Sequence, residues 1–131
     1  MLKPEKNKNI NYELSDKMSL DHEKIDKFIN KVKTEEEILK LKFMLERHFL
    51  IEEKAIFELY YTEDEEDRKI IPILMKQHKE ILAELKTKNL AKIKIMLKKH
   101  STLEDEKFYP LLDKTLTREK KEKMIEKIQS F

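Results

Sequence analysis

Two stretches of this chain, HFLIEEKAIF (residues 48–57) and HSTLEDEKFY (residues 100–109), place a histidine and, four residues on, a glutamate among apolar residues at helical spacing. An apolar repeat alternating three and four residues marks the buried face of a helix. Counted that way, one helix presents Ile38, Leu41, Leu45, His48, Glu52, Ala55 and Leu59. Another presents Leu90, Ile93, Leu97, His100, Glu104, then Lys107 with Phe108 beside it, and Leu111. Any fold this chain adopts must therefore accommodate two carboxylates in its interior. An unpaired buried carboxylate costs several kcal/mol, so the interior must also supply cations.

Two more helices supply the remaining histidines. Their seams read Met18, His22, Ile25, Ile29, Val32 and Ile71, Leu74, His78, Ile81, Leu85. No strand-like alternation interrupts them. The periodicity predicts a first helix over about Lys17–Val32. A second runs to about Tyr61, opened by the capping box of Thr34 and Glu37. After an acidic turn at 62–67, a third runs from near Arg68 to about Lys88, with Pro72 tolerated in its first turn. Asn89 caps a fourth, which Pro110 must kink or end. A short charged helix over about 117–130 carries Met124, Ile125 and Ile128 as its stripe, and the polar residues 1–14 read as an N-terminal arm. The expectation is an all-α domain over 15–131, an up-down-up-down antiparallel four-helix bundle. At about 1.5 Å per residue, all four histidines then fall roughly 16–21 Å from a bundle end, near one layer.

What the chain lacks narrows its chemistry. With Cys 0 it has no disulfide, thiolate metal site or thiol nucleophile, and with Gly 0 it has no glycine-rich phosphate cradle. Lys+Arg 29 against Asp+Glu 27, alternating in sign, describes solvated helix faces rather than a nucleic-acid surface. No apolar run approaches the roughly 18–20 residues of a membrane span, and MLKPEKNKN is no signal peptide. A cytoplasmic protein without nucleic-acid or membrane partners is expected; the sequence names no protein partner.

Imidazole and carboxylate without thiolate suit iron, with manganese or zinc as further candidates. The i, i+4 spacing puts His48 with Glu52 and His100 with Glu104 on one helix face each. Around them, Asp26 stands four after His22, where it can orient the ring or bind metal, or simply face solvent. Glu53 and Asp105 lie about 100° further round their helices, a direction that more often faces water. Tyr109 reads as core or boundary. Phe28, Phe49, Ile51, Leu74, Leu82, Met96 and Leu103 read as core, some of them candidate walls of a small apolar pocket beside the metals.

The two H-x-x-x-E stretches, with the lone histidines of LDHEKIDKFI and MKQHKEILAEL, resemble the hemerythrin family, specifically its HHE cation-binding branch, over about residues 15–115. The resemblance implies a non-haem di-iron centre, with His22 and His48 on one iron, His78 and His100 on the other, and Glu52 and Glu104 bridging. The family's oxygen carriers use H-x-x-x-H on the third helix, where this chain has Leu74 four before His78. One histidine ligand is thus missing. The carriers' H-x4-D pattern is met by His100 and Asp105, so Glu104 and Asp105 compete to bridge; Glu104 matches Glu52 in spacing and seam position. These departures weaken the case for reversible oxygen carriage.

Two functions follow from the resemblance. One is a protein that binds or senses O2, or NO, at the di-iron centre. The other is a di-iron redox enzyme acting on peroxide, O2 or NO, or a protein that stores or delivers iron. The seams hold no spare acid or base, which favours binding over turnover. A metal-free helical interaction module is the third option, and it requires both seam glutamates to be neutral or otherwise paired.

Overall fold

The computed structural model of the chain describes residues 14–60 and 65–131, and all of its regular structure is helical. The segments are α1 (Leu14–Ile29), α2 (Glu35–Ile51), α3 (Glu65–Arg68), α4 (Ile70–Glu84), α5 (Leu90–Leu103), α6 (Tyr109–Thr115) and α7 (Arg118–Gln129). Contacts close a ring, α1 on α2, α2 on α4, α4 on α5 and α5 on α1, while α6 also lies against α1. None of these helices is long and apolar enough to cross a membrane.

Local chemistry sets the helix starts. Thr34 accepts from the Glu37 N–H at 3.1 Å and the Glu37 carboxylate accepts from the Thr34 N–H at 3.0 Å, completing the expected capping box. Asn89 caps α5 through Lys92 at 3.2 Å. Between α4 and α5 the chain passes through a short 3-10 turn and then Lys88 at φ 60, a left-handed residue where glycine would cost least. The first turn of α1 is tied to the far end of the chain. Asp113 of α6 accepts from the Leu14 and Ser15 N–H groups and from Ser15 Oγ.

Several boundaries differ from those read in the sequence. Residues 1–13 lie outside the described residues, but Leu14 is a fully buried member of α1, not part of an arm. Of the expected acidic turn, residues 62–64 lie outside the description, and Glu65–Arg68 is helical. Pro110 does not end the fourth helix, which continues to Thr115. The reason lies just before it: Glu104–Phe108 is a π-helical stretch, in which the Tyr109 N–H reaches back to Glu104 O. The wider turn relieves the clash a proline ring makes with the preceding turn.

A second π-helical stretch, Glu52–Phe57, extends α2. Each stretch inserts one residue into the helical count and moves the buried seam by one. Beyond Glu52 the interior takes Ile56 and Tyr60, while Leu59 turns outward; beyond Glu104 it takes Phe108 and Leu112, while Lys107 turns outward. The strict three-four count, which placed Leu59, Lys107 and Leu111 on the seam, fails there for this reason. Both insertions begin at the seam glutamates. They separate two apolar clusters, one around Met18, Ile56, Phe57, Phe108, Tyr109 and Met124, the other around Ile25, Ile29, Leu45, Phe49, Ile81 and Ile93.

Candidate metal centre

Between those clusters the four seam histidines and two seam glutamates meet. Two groups of four converge: His22, His48, Glu52 and Glu104, and Glu52, His78, His100 and Glu104, with ligand atoms within 4.8 Å of one another in each. The two glutamates belong to both. Glu52 and Glu104 are fully buried, and His48, His78 and His100 are at most 2% exposed. His22 is the least enclosed.

All four Nε2 atoms face the carboxylates. His78 Nε2 lies 2.9 Å from Glu52 Oε1 and His22 Nε2 lies 2.9 Å from Glu104 Oε1. His48 Nε2 is 3.6 Å from Glu52 Oε2, and His100 Nε2 is 3.4 Å from Glu104 Oε2. Few of these approaches are aligned as hydrogen bonds. His22, His48 and His100 Nε2 and both oxygens of Glu104 are buried without a hydrogen-bond partner. Buried polar atoms are normally satisfied, and these five orphans, His22 and His48 in one group, His100 in the other and Glu104 in both, fit cations that accept their lone pairs. The residues present therefore fit a metal ion.

The opposite face of each ring is held. His22 Nδ1 meets Asp105 at 3.0 and 3.2 Å, His78 Nδ1 meets Glu53 at 2.8 Å, His100 Nδ1 meets Gln77 Oε1 at 2.7 Å, and His48 Nδ1 meets Asp21. Carboxylate and amide oxygens only accept, so each Nδ1 carries a proton, and each Nε2 is the ring atom free to turn a lone pair inward once its own proton is lost. Such partners fix ring orientation and raise ligand basicity. Ser19 Oγ donates to Asp105 at 3.0 Å, and Tyr109 Oη donates to Glu52 Oε2.

Without a metal the layer satisfies its charge with protons. Burial alone would lower His22, but Glu104, then Glu52 and Asp105, carry it up to about 9. His100 is likewise opposed by burial and raised by Glu104 and Glu52 to about 10. Burial also opposes His48, which Glu52 and Asp21 raise. Glu52 is held well below the usual carboxylate range against its burial, first by His48. Glu104 moves the other way, raised by burial and by the neighbouring Glu52 charge. Two adjacent carboxylates divide in this manner because they cannot both ionise freely. A divalent ion displaces such protons when it binds.

Phe49 packs among three of the rings, stacked on His78 at 4.0 Å and edge-on to His48 and His100. Beside it a cavity of about 210 Å³ reaches His22, His48 and His100 from between α1 and α5. Its deeper walls are Ile25, Ile29, Leu45, Phe49 and Leu97; Glu23, Asp26, Lys94 and Lys98 flank the outside. Of the pocket walls anticipated from sequence, only Phe49 serves.

The structure thus brings together all six principal sequence candidates. The three secondary ones differ. Asp105 and Glu53 bind ring Nδ1 atoms rather than joining either convergent group, leaving Glu104 at the shared position. Asp26 is exposed, and the His22 ring that it was placed to orient is held by Asp105 from the facing helix. Asp21, Gln77 and the bond from Tyr109 to Glu52 escaped the sequence reading. One signal was available for the ring partners: Asp21 and Gln77 immediately precede the lone histidines, and Glu53 and Asp105 immediately follow the seam glutamates. Comparison of the chain with known proteins gives no match to a family model, a curated protein or a solved structure.

Proposed function

We propose that this chain is a hemerythrin-like protein, an up-down-up-down four-helix bundle of α1, α2, α4 and α5 that holds two non-haem iron ions and binds or senses O2 or NO there. The single observation that carries the reading is the pair of convergent four-residue groups sharing Glu52 and Glu104. His22 and His48 would hold one ion, His78 and His100 the other, and the shared glutamates both. Manganese or zinc would suit the same donors. Bound iron would supply redox chemistry and open coordination positions for a small ligand.

The chain's own residues do the rest. Asp21, Glu53, Gln77 and Asp105 aim the imidazoles inward. Phe49 and Phe57, both stacked on His78, keep water from that ring. The cavity between α1 and α5 gives a small molecule a path to three of the four histidines. Tyr109 fixes the second oxygen of Glu52 from the closed side.

The same cavity favours a second reading. At about 210 Å³ it exceeds the roughly 30 Å³ share of one water several-fold, room enough for peroxide and its products. Under that reading the centre is a redox enzyme or an iron store.

One experiment separates these. The metal content of the purified protein is measured, the protein is reduced anaerobically, and its optical spectrum is followed as oxygen is admitted and removed. Near two irons per chain, with charge-transfer bands that come and go with oxygen, is the expected result. Irreversible oxidation with consumption of added peroxide would move the assignment to the enzyme. No stoichiometric iron, manganese or zinc after loading would overturn both.

A further inference from the structure

The ring partners repeat with a pattern. In the first half of the chain Asp21 precedes His22, and Glu53 follows Glu52; in the second, Gln77 precedes His78, and Asp105 follows Glu104. Each residue preceding a lone histidine holds the paired histidine of its own half, Asp21 on His48 and Gln77 on His100. Each residue following a seam glutamate holds the lone histidine of the other half, Glu53 on His78 and Asp105 on His22. The arrangement is two-fold in its logic and broken at one place. Three of the four imidazoles are backed by a carboxylate, and His100 is backed by the neutral amide of Gln77.

We infer that the two metal positions are inequivalent, the His22/His48 position being the tighter and the His78/His100 position the weaker, with Asp21 and Gln77 as the positioning residues that set the difference. This rests on the proposed metal centre. Each shared glutamate turns one oxygen to each position, Glu104 Oε1 to His22 and Oε2 to His100, Glu52 Oε2 to His48 and Oε1 to His78. Apart from the Tyr109 bond to Glu52 Oε2, the difference between the positions lies behind the histidines. An ionised acceptor makes a stronger hydrogen bond to Nδ1–H than a neutral one and pushes more electron density to Nε2. Two carboxylates stand behind the first position, Asp21 and Asp105, and one behind the second, Glu53. All three are about one-third exposed, which moderates their charge without removing it. In the chain as it stands, the ion beside His100 is the first to leave and the last to load.

The test is an anaerobic titration of the metal-stripped full chain with Fe2+ against a chromophoric chelator, read as bound iron per chain. Two steps are expected, separated by about tenfold or more, the range by which such ring partners change metal affinity. Gln77→Glu strengthens the weaker step and closes the gap. Gln77→Ala weakens it further. Asp21→Asn weakens the tighter step by about 10–100-fold. The gain in Gln77→Glu is decisive, because damage to the fold cannot tighten a site. Two equal steps in the native chain, or a Gln77→Glu variant that titrates like it, would overturn the inference while leaving the metal centre intact. Failure of the native chain to bind iron, manganese or zinc would overturn the metal centre itself.

Discussion

On one side of the Glu52–Glu104 layer, Phe57 and Tyr60 meet Phe108 edge to face, Phe108 rests against Tyr109, and α7 covers them with Met124 and Ile125. On the other side, Ile25, Ile29, Leu45 and Leu97 line a cavity that opens between α1 and α5. The π-helical stretches and their shifted seams lie on the first side. The closed end holds the carboxylates still, and the open end lets something reach them. The proposed binding of a small ligand calls for both, and here they are divided between the two ends of one core.

The largest effect should come from the layer itself. Replacing Glu52 and Glu104 together by leucine removes the shared groups, and metal uptake at the proposed centre should fall to none by elemental analysis. Calorimetry on the stripped proteins at neutral pH should show the double variant melting below the parent, because His22 and His100 lose the carboxylates that hold their charge, and breaking such a buried pair costs about 3–5 kcal/mol. Next, Phe108→Ala at the closed end should cost about 3–5 kcal/mol in urea unfolding, as a fully buried aromatic lost to a cavity does. If Leu97→Ala on the cavity wall costs as much, the two ends are not packed differently. Leu97→Phe should fill the cavity with a stability change within about 1.5 kcal/mol, and it should slow the approach of azide or oxygen in stopped flow. An unchanged rate would place the entry path elsewhere.

A gentler probe is pH. In the stripped chain His22 and His100 are raised to about 9 and about 10, above an unfolded value of 6.5. Their stabilisation is fully present below 6.5 and lost as pH rises through 9 to 10. The melting temperature of the stripped chain should therefore fall across that window, and a chain loaded with the proposed metal should fall less, since its rings would then be neutral ligands. Smallest of all, Lys88→Gly at the open end's turn should relieve the left-handed backbone and raise stability by about 1 kcal/mol. A loss instead would show that its ion pair with Glu35 matters more than the backbone.

The seam histidines and glutamates were legible because helical periodicity projects them onto one face without any knowledge of neighbours. The same arithmetic misjudged Leu59, Lys107 and Leu111, since a π-helical insertion leaves no mark in a count that assumes none. Phe108, apolar and one place past the counted Lys107, was the visible symptom. The ring-holding roles of Asp21, Glu53, Gln77 and Asp105 were hidden for a different reason. They stand on the rim of the seam, where a chain this rich in charge offers many equivalent candidates, and only the facing helix decides which are used. Asp26 shows the cost of reasoning within one helix, for the ring beside it was claimed from across the core.

The bond between Asp113 and the first turn of α1 bears on the order of events during synthesis. The helix that carries His22 is anchored at its start by a residue 98 to 99 positions later. While the ribosome is still making the middle of the chain, α1 has neither that anchor nor the facing His100 and Glu104 side chains. The layer around His22 thus cannot close until residues 100–113 have been made and folded, and a chain cut before Asp113 should leave the first turn of α1 unanchored.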